Sequence, residues 1–297
     1  LVFNYLPMAG IVIAFQDFRP FSADSAIGAY LSSEWVGLAN FKKFFMGYDF
    51  TMLLKNTLSI SILSLIFLFP APILLSLLLN EIRCQGYKRV SHTLIYIPHF
   101  ISLVIVATLT QQLFSTTDGI VYKILESIMG RGAAPDVLAS PKYFYGLIVG
   151  QNIWKETGYG TIVFLAALAG VDMELYEAAR IDGAGVWRIF IYVILPTSKP
   201  ALATIALFHG VSQWNDFMTA KLYITEKALY PLQMKLYEII VQQQMATMTN
   251  PTSVTVTTTA KGIQLATIIV TTLPIIIIYP LLQKHFVTGM MLGAVKE

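Results

Sequence analysis

The stretch from Leu53 to Leu79 limits what this chain can fold into more than any other. It is apolar almost throughout and longer than the ~20 residues a helix needs to cross a bilayer. Pro70 and Pro72 remove backbone donors within it, so a kink packed against neighbouring helices is expected there. Comparable runs recur at Leu1–Phe15, Thr93–Phe114, Tyr143–Ala169, Ala201–Ile224 and Gly262–Leu282. Together they predict an all-α polytopic membrane protein with about six spans. The first run is too short to cross alone, so more of that helix is expected upstream. It has neither the basic start nor the small-residue cleavage pattern of a signal peptide.

Composition agrees. Hydrophobic residues make up 56% of the chain and charged residues 12%, against roughly 25% charged in soluble domains. Mean hydropathy is +0.65. A net charge of +3 points to no nucleic-acid partner, and the single cysteine, Cys84, excludes an internal disulfide framework or a cysteine-based metal cluster. No linker, composition break or solenoid-period repeat divides residues 1–297, so one transmembrane domain is expected. The segments 17–51, 115–142 and 225–260 are the long polar connections. The first carries WVGLANFKKFF, whose aromatic and basic mix suits an interfacial helix. The second reads as a loop with one short helix. The third opens with a helical stretch, PLQMKLYEIIVQQQM, and ends in a Thr-rich segment, 247–259, with no apolar period.

The polar interruption 172–196, DMELYEAARIDGAGVWRIFIYVILP, still reads as ordered helix. Asp172 can accept from the first free N–H groups of a helix, and Glu174 and Glu177 suit the positive end of its dipole. Leu175, Ala178, Ala179 and Asp182 follow at spacings of three and four, forming a narrow small-residue face. Gly183 and Gly185 permit a turn. A second short helix is expected beyond it, with Val186, Trp187, Phe190 and Ile194 on its apolar side. Pro196 marks the junction with the next span.

Here the chain resembles a known family. Glu177-Ala178-Ala179, then Gly183, then Val193 and Leu195-Pro196 fit the EAA loop of the membrane subunits of bacterial ABC importers. Val193 stands where that pattern usually has Ile. IDGAG with its following aromatic narrows the resemblance to the maltose-type, carbohydrate-importing branch. NYLPMAGIVIAFQDF, FPAPILLSLLLNE, YIPHFIS and the tail HFVTGMMLGAVKE are similar to permeases for oligosaccharides or polysaccharide fragments. The resemblance implies the MetI-like permease arrangement, with 172–196 as a cytoplasmic loop that couples to an ATPase. Glu177 would pair with a basic group of that ATPase, and Ala178, Ala179 and Gly183 would allow close approach, with Asp182, Trp187 and Pro196 completing the loop. It further implies a second homologous permease, two ATPase subunits that bind ATP and Mg, and an extracytoplasmic solute-binding protein. The long polar segments would then face outward and the protein would sit in the bacterial cytoplasmic (inner) membrane. The tail, Gln283–Glu297, would lie against the ATPases or in solvent.

No phosphate-binding G-x-x-x-x-G-K-[ST] run and no H-E-x-x-H or paired-Cys spacing is present. No catalytic residues, no cofactor of this chain's own and no metal site are therefore expected, and ATP hydrolysis is assigned to partner chains. The informative residues lie at membrane depth. In the fourth span, Gln151 and Lys155 are one turn apart, as are Asn152 and Glu156. A charge at the centre of a lipid-exposed helix costs about 2.5–3.5 kcal/mol, so both charges should face other helices or a watery cavity. In the fifth span, His209, Gln213 and Asp216 form one stripe at i, i+4 and i+7, with Trp214 and Asn215 beside it. Trp154 and Tyr159 mark the fourth span. Aromatic faces with hydrogen-bonding neighbours suit a sugar's C–H face and hydroxyls. One reading places these residues along a substrate path. The other makes them interhelical contacts, or contacts to the partner permease.

Lys155 in a path suits an acidic, uronate-containing oligosaccharide such as an alginate fragment. Two other classes remain. A secondary transporter would need binding residues on broken helices, usually in inverted repeats, and no second half matches the first. A membrane enzyme would need a convergent set; His209 with Asp216 comes nearest and lacks a nucleophile.

Overall fold

The computed structural model describes residues 6–19, 25–47, 49–80, 82–169, 173–197, 199–224, 226–249 and 261–280. Helices dominate. The chain forms two compact units, 1–58 with 215–278, and 59–214 with 279–297.

The first unit opens with a 3-10 helix, Leu6–Phe15. It continues into a two-residue strand, β1 (Gln16–Asp17), which pairs antiparallel with β2 (Glu34–Trp35). This small ribbon was not expected, and it shortens the interfacial helix read from WVGLANFKKFF. Trp35 lies in β2, Gly37 turns at φ +56°, and helix begins only at Ala39. Helices α1 (Ala26–Ser32) and α2 (Ala39–Gly47) flank the ribbon. Ser25 caps α1 by accepting from the N–H of Gly28.

Asn40 holds this corner together. Buried, it donates to the carbonyls of Ala14 and Gln16 at 3.0 Å each. Helix α3 (Phe50–Leu68) starts in this unit. Its Asn56 donates to the carbonyls of Ala228 and Tyr230, and the hydroxyl of Thr57 accepts from the N–H of Leu232 at 2.8 Å. Those bonds pin the start of α14 (Leu232–Thr249). Helices α13 (Met218–Tyr223) and α15 (Lys261–Pro280) complete the unit.

The second unit holds α4 (Pro70–Asn80), α5 (Gln85–Phe100), α6 (Leu103–Phe114), α7 (Ile120–Met129) and α8 (Pro141–Ala169). It continues through α9 (Met173–Ile181), α10 (Val186–Ile189), α11 (Leu195–Thr197) and α12 (Lys199–Asn215). Helix α3 yields to α4 at Phe69, immediately before Pro70, where a helical N–H is lost. Helix α8 packs along α4 and α5.

Among the described residues, two helices are long and apolar enough to cross a membrane: Phe50–Asn80 and Lys261–Pro280. Gln85–Phe100 and Leu103–Phe114 make a third only if counted together, and they bend by 95°. The expected straight span Thr93–Phe114 is therefore corrected to two helices. Pro98 lies in the last turn of α5, the N–H of Ile101 turns back to its carbonyl, and Ile101 is extended.

The expected span Ala201–Ile224 is corrected likewise, because α12 ends at Asn215 and α13 starts at Met218. The Asp216 carboxylate accepts from the N–H of Thr219 and draws the chain into a new start. Helix does not stop at Pro196. The turn before it widens into a π-helix, Phe190–Ile194, in which the N–H of Leu195 reaches the carbonyl of Phe190, and helix carries on through Pro196.

Candidate functional site

Two places gather the residues singled out by sequence. The first is the helix–turn–helix of α9 and α10. Helix α9 begins with Glu174 in its first turn and ends with Arg180 in its last, both matched to its dipole. Its end is closed by a glycine motif. The N–H of Gly183 bonds the carbonyl of Arg180, that of Ala184 bonds the carbonyl of Ala179, and Gly183 adopts φ +75°. Helix α10 then starts at Val186, with Ile189 buried. Glu177, Ala178, Asp182, Gly183 and Pro196 are exposed and Ala179 is half-buried. The side chain of Trp187, the expected cap Asp172 and the tail 283–297 lie outside the described residues.

The second place is α8, whose polar residues face two ways. Gln151 and Asn152 are buried, at 8% and 6% exposure. The hydroxyl of Thr110 on α6 lies 3.5 Å from Gln151 Oε1, whereas Gln151 Nε2 and Asn152 Nδ2 have no hydrogen-bond partner among the described residues. A cavity of about 1120 Å³ opens beside Thr110 and Gln151. Val106, Thr110 and Gln112 form its α6 wall, and Tyr143, Gln151 and Trp154 its α8 wall. Trp154 is exposed, so an indole face and an unsatisfied amide border the same space. That pairing suits a hydroxylated ring with an apolar face.

Lys155 and Glu156 turn elsewhere. Lys155 Nζ donates to the carbonyl of His99 at 2.9 Å and to Glu156 Oε1 at 3.0 Å. Glu156 Oε2 lies 2.8 Å from His99 Nδ1. Tyr159 stacks on the His99 ring with centroids 4.3 Å apart. Lys155 is thus committed to neighbours, which corrects the expectation that it stands free in a path to meet an acidic sugar. His99 was missed in the sequence, although YIPHFIS was noticed. The signal was a histidine directly after a helix-ending proline, opposite two charges that needed partners.

The fifth-span stripe survives only in part. His209 and Gln213 share α12, and His209 Nε2 and Gln213 Oε1 are buried without a hydrogen-bond partner among the described residues. Trp214 is buried. Asp216 is off the stripe, capping the next turn, and Asn215 Oδ1 accepts from Gln233 Nε2 at 3.0 Å. The pairing of His209 with Asp216 as a chemical set is lost with it.

A helical membrane protein with sparse polar groups drawn inside its helix contacts is the class these features define. The chain belongs to the family of binding-protein-dependent transport system inner membrane components, which matches it over residues 69–292. It is 46% identical over 207 residues to protein LplB of Bacillus subtilis (strain 168), covering 70% of this chain and 63% of that one. It is 44% identical over 207 residues to the polygalacturonan/rhamnogalacturonan transport system permease protein YteP of the same organism, covering 70% and 62%. The matched part is thus under two thirds of each relative's length. Among solved structures, it resembles a chain of a bacterial alginate ABC transporter in complex with an alginate pentasaccharide-bound periplasmic protein. That likeness has a TM-score of 0.77 at 28% identity, covering 95% of this chain and 87% of the other.

Proposed function

We propose that this chain is a transmembrane subunit of an ATP-driven importer, carrying an acidic oligosaccharide from an extracytoplasmic binding protein into the cytoplasm by alternating access. The observation that carries the reading is the family match through residues 69–292, joined to a likeness to an alginate transporter over 95% of the chain. The relatives' names, polygalacturonan and rhamnogalacturonan for one and alginate for the other, support a uronate-containing substrate. Lys155, bonded to the His99 carbonyl and to Glu156, adds nothing to that support.

In this reading residues 1–297 act as one permease domain of six spans in the bacterial inner membrane, paired with a second permease and resting on two ATPase subunits that bind ATP and Mg. The chain itself is no enzyme. The segment 172–196 is the cytoplasmic coupling loop. A rigid helix pair closed by Gly183 is a suitable handle, because a stiff element transmits displacement without absorbing it. Glu177 and Asp182 are exposed on it to meet basic groups. The substrate path in this reading runs by Gln151, Asn152 and Trp154 of α8 and by His209, Gln213 and Trp214 of α12.

The test is reconstitution of the full transporter with its binding protein, and measurement of oligogalacturonide and alginate-oligosaccharide uptake. Uptake should require ATP, and Glu177→Lys should lower it at least tenfold while the complex still assembles. Unchanged uptake by that variant counts against the coupling role. A secondary transporter is the alternative class, and uptake that persists without ATP while an ion gradient remains would favour it.

A further inference from the structure

Lys155, Glu156 and His99 take no part in the proposed path, and they meet at the end of α5, where α5 and α6 bend by 95°. Helix α5 stops at Phe100, α6 departs at 95°, and Ile101 and Ser102 between them are extended. The last carbonyls of a helix have no partner within it. Lys155 Nζ supplies one for His99, 2.9 Å from its carbonyl oxygen, and holds Glu156 Oε1 at 3.0 Å. Glu156 Oε2 reaches His99 Nδ1 at 2.8 Å, and the Tyr159 ring, one turn along α8, lies flat on the His99 imidazole. Three residues of α8 therefore grip one residue of α5 by its backbone, its ring nitrogen and its ring face. Lys155 is only 12% exposed along its side chain. A cation so enclosed needs both acceptors, so the grip closes as a unit.

The direction of α6 matters for the cavity. Val106, Thr110 and Gln112 on α6 form one wall, and Gly150, Gln151 and Trp154 on α8 form the other. Whatever fixes the bend fixes the separation of those walls. We propose that Lys155, Glu156 and His99 are positioning residues, a polar latch that sets the angle between α5 and α6 and with it the width of the α6–α8 cavity. This rests on the reading of the chain as an ATP-driven permease only for its consequence in transport. The geometric claim stands apart from it.

The test separates the two. In a Cys84→Ser background, spin labels at Leu94 on α5 and Ile105 on α6, both exposed, report the bend as a distance in the complete transporter in nanodiscs. The unaltered latch should give one narrow distance. Lys155→Met and Glu156→Leu should shift or broaden it, and Lys155→Arg and His99→Gln should restore it, since each retains a donor at the required place. Reconstituted instead into sealed proteoliposomes, Lys155→Met should transport at least tenfold less sugar per ATP hydrolysed. Should Lys155→Met fail to assemble, His99→Leu removes one arm of the latch and leaves the Lys155–Glu156 pair intact. A distance distribution identical to wild type in Lys155→Met or His99→Leu would overturn the proposal whatever the uptake. Absence of ATP-dependent uptake in the unlabelled wild type would instead refute the transport reading and leave the distances to decide the latch.

Discussion

Gly158 on α8 meets the carbonyl oxygen of Ile95 on α5 with no room for a Cβ between them. The obstacle is backbone, which cannot swing aside as a side chain would. This contact sits within one turn of Lys155 and Glu156, so α8 approaches α5 closely enough for the latch to close. Gly158→Ala is expected to cost about 1–3 kcal/mol, as overpacking does, toward the upper end because helix axes must part. Thermal melting of the solubilised transporter measures it. Gly210→Ala is the contrast: nothing lies within 4 Å of its added carbon, and replacing a helical glycine gains about 1 kcal/mol.

Thr57 accepts from the N–H of Leu232 at 2.8 Å in a buried setting. Thr57→Val keeps the shape and removes the acceptor, leaving that N–H unsatisfied at about 1–3 kcal/mol. Hydrogen exchange at Leu232 should quicken about tenfold or more in Thr57→Val, since 1.4 kcal/mol is about a factor of ten in an equilibrium. Thr57→Ser restores the hydroxyl and should exchange near the wild-type rate.

Gly183 turns at φ +75° with nothing within 4 Å of an added Cβ. The cost of substitution there is backbone strain alone, about 1–2 kcal/mol for most residues, and less for Asn. Gly183→Val should leave the spans folded while loosening the α9–α10 turn, so uptake per ATP falls several-fold and assembly does not. Gly183→Asn should keep most coupling. Equal uptake by Val and Asn variants would separate the turn geometry from coupling.

Hydrophobicity is written along the chain one residue at a time, which is why Leu53–Leu79 and Gly262–Leu282 could be read directly. The glycine turn at 183 was equally plain, because a left-handed residue has few substitutes. Choices between competing partners were not legible. Asp216 fits the helical period after His209 and Gln213, but its carboxylate found the N–H of Thr219 and left the helix. Adjacent charges at Lys155 and Glu156 announced a need for partners. That one partner would be the His99 carbonyl, left open by the end of α5, depends on packing that no periodicity records. The π-turn before Pro196 is equally hidden: proline forbids a bond, and the surrounding chain decides what replaces it.

Orientation in the membrane can be checked through Cys84, the chain's sole cysteine. It is exposed in the short connection between α4 and α5. Arg83, Lys88 and Arg89 surround it, and basic residues beside spans favour the cytoplasmic side. In the proposed six-span arrangement α5–α6 and α8 each cross once, so if 172–196 faces an ATPase the connection at Cys84 faces the same way. A membrane-impermeant maleimide should therefore label Cys84 in inside-out vesicles and not in intact spheroplasts, with Cys84→Ser unlabelled in both. Met129 is exposed at the end of α7, and in the same six-span arrangement it lies one crossing away. Met129→Cys in the Cys84→Ser background should give the opposite pattern. Labelling of Cys84 from outside would turn the α9–α10 handle away from any cytoplasmic ATPase, and the coupling role of Glu177 and Gly183 would fall with it.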